Sequence, residues 1–334
     1  MNRISALVEK ASQWIAKRRA LLLGMGFALL VAFPFVFPST HTQSLAVKVL
    51  LYTMLAASLN VINGYSGQFN IGHMAFYCVG AYTYAILATR FGVSFWICLL
   101  LSGMMAMLAG ILVALPTLRL QGMYLAMVTL GAAEIVNLIA SSWTSLTNGA
   151  LGIKGIPAPV LFSYRLHTTQ HFYFILLALA VIMYFLTMRV INSRVGRAWM
   201  AIREDQNAAR FLGVRIKLYK SINFAYGAFW AGVAGCVAAA YYQYISPGMF
   251  SADKGNELLS MLILGGQGTM IGPMAGSLMV ISLTEILRFA EQWRMVFYSV
   301  LIILMMWFRP QGLMGACDSV LAARLQFRKH KRKV

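Results

Sequence analysis

Charge is scarce in this sequence. Of 334 residues only nine are Asp or Glu, and charged residues of both signs make up 11%. Soluble domains carry about 25%. That deficit excludes a water-soluble globular protein, and it excludes disorder, because too little polarity remains to solvate an unfolded chain. Cysteine is scarce too: Cys78, Cys98 and Cys236 fall inside apolar runs and Cys317 follows the last one, with no CxxC pair. A disulfide scaffold and a Cys/His metal site are excluded with it. No GxxxxGK[ST] phosphate loop, no HExxH and no nucleophile elbow occurs, so neither nucleotide chemistry nor hydrolysis has a recognisable seat. What is abundant is apolar surface, at 60% of residues and a mean hydropathy of +0.71. The class left is a polytopic membrane protein, each span needing about 20 apolar residues.

The net charge of +19 is not spread evenly. It collects at the N-terminus (Arg3, Lys10, Lys17, Arg18, Arg19), in a mid-chain stretch (Arg189 to Lys220) and at the C-terminus (Arg309 to Lys333). Apolar runs separate the three clusters. This is the positive-inside pattern rather than a nucleic-acid footprint, and the tail Arg328–Lys333 belongs beside anionic headgroups.

Ten apolar segments can be drawn, at 21–38, 45–62, 70–89, 93–115, 122–141, 171–188, 221–243, 256–267, 270–287 and 295–308. Six precede the mid-chain basic stretch and four follow it. Even counts put all three basic clusters on one side, the cytoplasm, so parity favours ten spans. Residues 1–334 then form a single transmembrane domain, with a cytoplasmic N-terminus (1–20), a cytoplasmic loop (189–220) and a basic cytoplasmic tail (310–334). The chain reads as a multi-pass membrane protein. The N-terminal apolar run is span-length with no small-x-small cleavage site after it, and reads as a retained span.

The segment 256–287 is too long for one straight helix, since 32 residues would extend about 48 Å. Its middle, Gly265-Gly266-Gln267-Gly268-Thr269 and then Gly272-Pro273, predicts a break. A second glycine-rich break lies at Gly64–His73. The two align, Gly67–Ala75 against Gly266–Ala275 with one residue inserted. Paired interruptions of this kind point to the internal repeat and central pathway of a transporter. Asn60, Ser66, Gly67, Gln68, Asn70, Gln267 and Thr269 are the candidate pathway groups at the breaks. Glu134 and Asn137, three apart in the fifth segment, are the candidate intramembrane polar pair. An ion-coupled secondary transporter using Glu134 is the alternative these residues leave open. His73 reads as a polar packing residue.

The mid-chain loop is the most specific stretch. Trp199, Ile202, Ala209 and Leu212 fall on one face of a short amphipathic helix, and Gly213 suits its C-cap. The run Gly196-Arg197-Ala198-Trp199-Met200-Ala201-Ile202-Arg203-Glu204-Asp205, followed by Ala208-Ala209 and Leu212-Gly213, resembles the coupling loop of branched-chain amino-acid ABC transporter permeases of the LivM type. Asn60–Gln68 with Gly72, Phe76, Gly80 and Tyr82, then Tyr124–Gly131 with Glu134-Ile135 and Asn148-Gly149, and Gly265–Thr269 with Gly272-Pro273 and Gly276, resemble the rest of that family's pattern.

The resemblance implies an all-α, ten-helix, type II-like importer permease with broken helices. It implies the bacterial inner membrane and three kinds of partner besides membrane lipid, namely a second homologous permease, two cytoplasmic ABC ATPase subunits and a periplasmic binding protein, with no nucleic acid. ATP and Mg would sit on the ATPases, leaving this chain without cofactor or catalytic residue. Gly196, Arg197, Arg203, Glu204, Asp205, Ala208, Ala209, Leu212 and Gly213 would form the ATPase-coupling loop, as one helix over 197–213. The substrate class implied is Leu, Ile and Val, with urea, short amides or other amino acids carried by related permeases.

Overall fold

The structure is a computed structural model; it describes residues 30–37, 39–161, 164–165 and 168–286, with residues 296, 299–300, 303, 307 and 312–314 standing alone beyond them. The N-terminal 1–20, more than half of the first and of the tenth apolar segment and most of the basic tail lie outside the described residues. The chain divides into two compact units, Met1–Ala46 and Val47–Val334. Within the first, residues 30–36 are helical and the Gln43 carboxamide donates to the Pro34 carbonyl at 3.2 Å.

Ten helices are labelled here: α1 Thr40–Asn60, α2 Met74–Phe91, α3 Phe95–Thr117, α4 Gly122–Ser142, α5 Thr169–Ile191, α6 Arg194–Glu204, α7 Gln206–Phe211, α8 Ile216–Tyr242, α9 Ala252–Gly265 and α10 Gly272–Ile286. A π-helical turn, Val61–Tyr65, follows α1 directly. Among the described residues, five stretches are long and apolar enough to cross a membrane: Thr40–Tyr65, α3, α4, α5 and α8. The eight apolar segments between 45 and 287 each fall on a helix. The predicted break in 256–287 is real, and its two halves, 14 and 15 residues long, each extend only about 21–23 Å.

The core is built on α8, where every residue from Trp230 to Ala240 is buried. The reason is side-chain size. In lipid no hydrophobic force drives helices together, so close approach of small residues must do it. Here α8 presents Gly232 and Gly235 to α2 and α3. A Cβ built at Gly232 would lie 2.4 Å from the Ala106 Cβ and 2.5 Å from the Ser102 carbonyl. One built at Gly80 would lie 2.3 Å from the Gly232 carbonyl. By contrast α3 and α5 turn wholly apolar stripes outward, Ile97, Leu101, Met104 and Leu108 on one and Val181, Ile182 and Phe185 on the other.

The loops of the second unit gather at two ends. At one, the Gln121 carboxamide donates to Gln206 Oε1 (2.7 Å), Lys220 Nζ to the Leu120 carbonyl (3.4 Å) and Asn60 Nδ2 to the Thr269 carbonyl (2.6 Å). At the other, Arg90 donates to the Ser145 and Leu146 carbonyls, Tyr84 Oη to the Pro157 carbonyl (2.6 Å), and the strand Ile153–Lys154 pairs antiparallel with Tyr244–Ile245. Taken in chain order, the loops 61–73, 91–94, 118–121, 143–168, 192–215, 243–251 and 266–271 alternate strictly between the ends. Glu257, which the sequence places near a span end, is paired with Lys254 at 2.7 Å.

Candidate functional site

The two glycine breaks meet. α1 closes at Asn60, winds through the π turn and leaves helical geometry from Gly67 to Ile71 before α2 begins. α9 stops at Gly265, and Gly266–Ile271 is non-helical before α10. A helix terminus leaves backbone groups without partners, and side chains fill that need here. Asn60 acts on the other break, donating through Nδ2 to the Thr269 carbonyl at 2.6 Å and accepting the Gly268 N–H at 2.8 Å. Thr269 Oγ1 accepts the Gly272 N–H at 3.0 Å and starts α10.

The first break is held by its own carboxamides. Asn63 and the Asn70 backbone exchange two hydrogen bonds at 3.1 Å, as a strand pair would. Gln68 Nε2 donates to Ser66 Oγ (2.8 Å) and to Asn223 Oδ1 (3.0 Å), and Asn223 Nδ2 donates to the Val61 carbonyl (2.9 Å). Thr129 on α4 accepts the Ile71 N–H at 3.2 Å. His73 packs as the sequence suggests, with Nε2 at 2.7 Å from Ser58 Oγ. Asn60, Ser66, Gln68, Asn70 and Thr269 are all buried, while Gly67 and Gln267 are exposed.

The mid-chain loop docks on this junction. Ser193 caps α6, accepting the Val195 N–H at 3.1 Å. Trp199 and Ile202 are buried, and Trp199 Nε1 donates to the Tyr219 carbonyl at 2.9 Å. Arg203 Nη1 donates to the Gly64 carbonyl at 2.7 Å. That carbonyl belongs to the penultimate residue of the π turn, at a helix end where backbone oxygens and the helix dipole favour a cation.

The single helix expected over 197–213 is instead two. Asp205 takes extended backbone (φ −157°, ψ 117°) and its carboxylate accepts the Asn207 and Ala208 N–H groups at 2.7 and 3.1 Å. An acidic N-cap of this kind starts a new helix rather than continuing the old one. The bend gives α7 its own direction: Ala209 joins Ile202 and Ile216 in a small cluster, but Leu212 is 82% exposed and does not share their face. Gly213 does end α7, at φ +82°, with the Val214 N–H on the Ala209 carbonyl. Gly196 is buried, while Arg197, Glu204 and Ala208 are exposed. Asp205→Ala is expected to weaken α7 by about 1 kcal/mol, the usual worth of an N-cap. Hydrogen exchange at Asn207 and Ala208 should quicken while exchange at Trp199 stays unchanged; equal protection at all three would remove the cap's role.

Glu134 and Asn137 stand apart. Asn137 is about 12 Å along α4 from Thr129, by the 1.5 Å rise per residue. Glu134 is exposed, on a face shared with Gly131, Ile135 and Leu138, and Asn137 Oδ1 is buried without a hydrogen-bond partner among the described residues. Sequence reasoning missed Asn63 and Asn223 as members of the junction. The available signal was an uncharged amide inside an otherwise apolar run, which must find a partner when water is excluded.

Residues 41–306 match the family model described as branched-chain amino acid transport system / permease component. The LivM permease protein of the high-affinity branched-chain amino acid transport system of Escherichia coli (strain K12) is 35% identical over 321 residues, covering 89% of this chain and 75% of that one. Its Salmonella typhimurium counterpart is 34% identical over the same shares. The E. coli LivH permease protein is 26% identical over 294 residues, 79% of this chain and 91% of that one. No solved structure matches the chain. The chain belongs to the branched-chain amino acid transport permease family.

Proposed function

We propose that this chain is the membrane-spanning permease subunit of an ATP-driven importer that carries leucine, isoleucine and valine. The observation that carries the reading is the seating of the 194–213 loop on the junction of the two broken helices, in a chain whose relatives are named as permeases for those amino acids. A secondary transporter has no use for such a loop. Substrate arrives from a periplasmic binding protein and passes along the interface with a second permease. Two ATPase subunits with their ATP and Mg dock on the 194–213 loop.

Charge supports the orientation. The end holding this loop also holds Arg119, Arg189, Arg194, Arg197, Arg203, Arg210, Arg215, Lys217 and Lys220, whereas the other end holds Arg90, Lys154, Arg165 and Lys254. By the positive-inside rule the first is cytoplasmic. With one span on either side of the described helices the total is ten and both termini are cytoplasmic. The exposed face of α4 is the permease–permease seam. A carboxylate such as Glu134 is too costly to leave against lipid, so it faces protein or the substrate path.

Glu204 lies on the outward side of the loop. Glu204→Lys is expected to strip the ATPases from the complex, because reversing one side of a charge-assisted contact costs about 2–5 kcal/mol. ATPase recovered on a tagged chain should fall at least about tenfold, and ATP-dependent leucine uptake with it, while the chain still inserts. Full ATPase recovery with Glu204→Lys would show that the loop's outward side is not the docking surface.

A further inference from the structure

We propose that Arg203 is the strut that carries movement of the coupling loop to both broken helices at once. The inference rests on reading 194–213 as the ATPase-docking loop, and it assigns Arg203 the inward half of that task.

Arg203 and Glu204 are both exposed residues, but the Arg203 guanidinium reaches back onto the chain and donates to the Gly64 carbonyl at 2.7 Å. Among the described residues no carboxylate lies within 4 Å of it. Its partner is a main-chain oxygen at a helix end, and a charge-assisted bond to such an oxygen is about twice as strong as a neutral one.

The socket is made of two glycines, one from each break. Gly67, at φ +65°, leaves room for the Arg203 stem: a Cβ there would lie 2.9 Å from Cγ and 3.3 Å from Cα. Gly268, at φ +77°, leaves room for the head: a Cβ there would lie 2.7 Å from Nη1. Both positions take left-handed backbone that side-chain-bearing residues rarely adopt. One arginine thus occupies a space opened jointly by two segments about 200 residues apart in sequence.

The connections behind the socket make the strut effective. Residues 61–71 are cross-braced by Asn63 to Asn70 and by Gln68 to Asn223, so a push at Gly64 moves them together. Asn60, one helical turn before Gly64, holds Gly268 and Thr269. Displacing α6 along the Arg203 bond therefore loads the end of α1 directly and the α9–α10 turn through Asn60. Coupling between distant sites needs such a contiguous physical link.

The test uses the assembled transporter in lipid vesicles, with three readouts: ATPase retained on the tagged chain, ATP hydrolysed, and leucine taken up per ATP. Arg203→Met should keep ATPase retention and hydrolysis within about twofold of the parent while uptake per ATP falls at least about tenfold. Arg203→Lys, which keeps one charged donor, should recover part of that loss. Gly268→Ala, whose methyl displaces Nη1, should lower the ratio alone but add nothing in the Arg203→Met background, since the two changes break one link. An unchanged ratio in Arg203→Met overturns the strut. Loss of ATPase retention in Arg203→Met also overturns it, by making Arg203 a docking contact. Failure of the unsubstituted chain to hold any ATPase is a different result, and it sinks the docking reading itself. If Arg203→Met does not fold, the Arg203→Lys ratio decides: parent-like uptake at parent-like ATPase retention supports the strut only if Gly268→Ala still lowers the ratio, and refutes it otherwise.

Discussion

Gly232→Val is expected to leave no folded chain to assay. Inserting methylenes into a packed core costs about 1–3 kcal/mol when side chains can yield. Here they cannot. A Cβ at Gly232 meets the Ala106 Cβ, the Ser102 carbonyl and, at 3.2 Å, the Gly103 Cα, all on α3. Moving α8 away from α3 drives it into α2, because the Gly80 site already faces the Gly232 backbone and a Cβ at Gly235 would lie 2.3 Å from the Tyr77 carbonyl. Obstacles on two sides leave no direction for relief. The measurement is the monodisperse fraction in detergent with its unfolding temperature. Gly131→Val is the control, since nothing lies within 4 Å of a Cβ there and α4 is exposed at that point. A Gly232→Val protein as stable as the Gly131→Val one would disprove the packing argument.

Asn60→Leu is expected to uncouple the α9–α10 turn from α1 with little change in volume. The substitution removes two hydrogen bonds at once, leaving the Gly268 N–H and the Thr269 carbonyl unpaired. Each such group costs about 1–3 kcal/mol when water cannot reach it. Amide exchange at 266–271 should accelerate strongly, and leucine uptake by the assembled transporter should fall at least about tenfold. Parent-like exchange at Gly268 would mean that the turn is held by its own backbone. Because the Asn60 side chain is taken up by Gly268 and Thr269, and the binding protein is a separate subunit in the proposed scheme, the binding-protein affinity for leucine should not move.

How much of this was legible depends on what each residue type announces. Glycine and proline announce interruption, so both breaks and the two-part nature of 256–287 could be read directly. The eight central apolar segments could be read for the same kind of reason, since span length is fixed by the bilayer. Two things were hidden. The meeting of the breaks depends on one asparagine, Asn60, and a single carboxamide carries no sign of what it will bind 208 residues later. The bend at Asp205 was hidden because Gln206 to Phe211 still has helical periodicity; only the acid's own capping bonds divide it from α6. Leu212 was placed on the wrong face as a consequence. Arg203 reads from sequence only as one residue of the coupling loop, because adjacency to Glu204 does not say that its long side chain reaches back to the Gly64 carbonyl.

The α2–α3–α8 core also sets a schedule for biosynthesis. α3 ends at Thr117 and α8 begins at Ile216, so two walls of the tightest contact leave the ribosome about 100 residues before the third. At about 5–20 residues per second that is roughly 5–20 s during which a glycine-lined seam stands open in the bilayer. Nothing bulky can be allowed to settle there, since the seam finally admits only a helix backbone. The bundle therefore closes late, on a helix that arrives after the 194–213 loop has already been made.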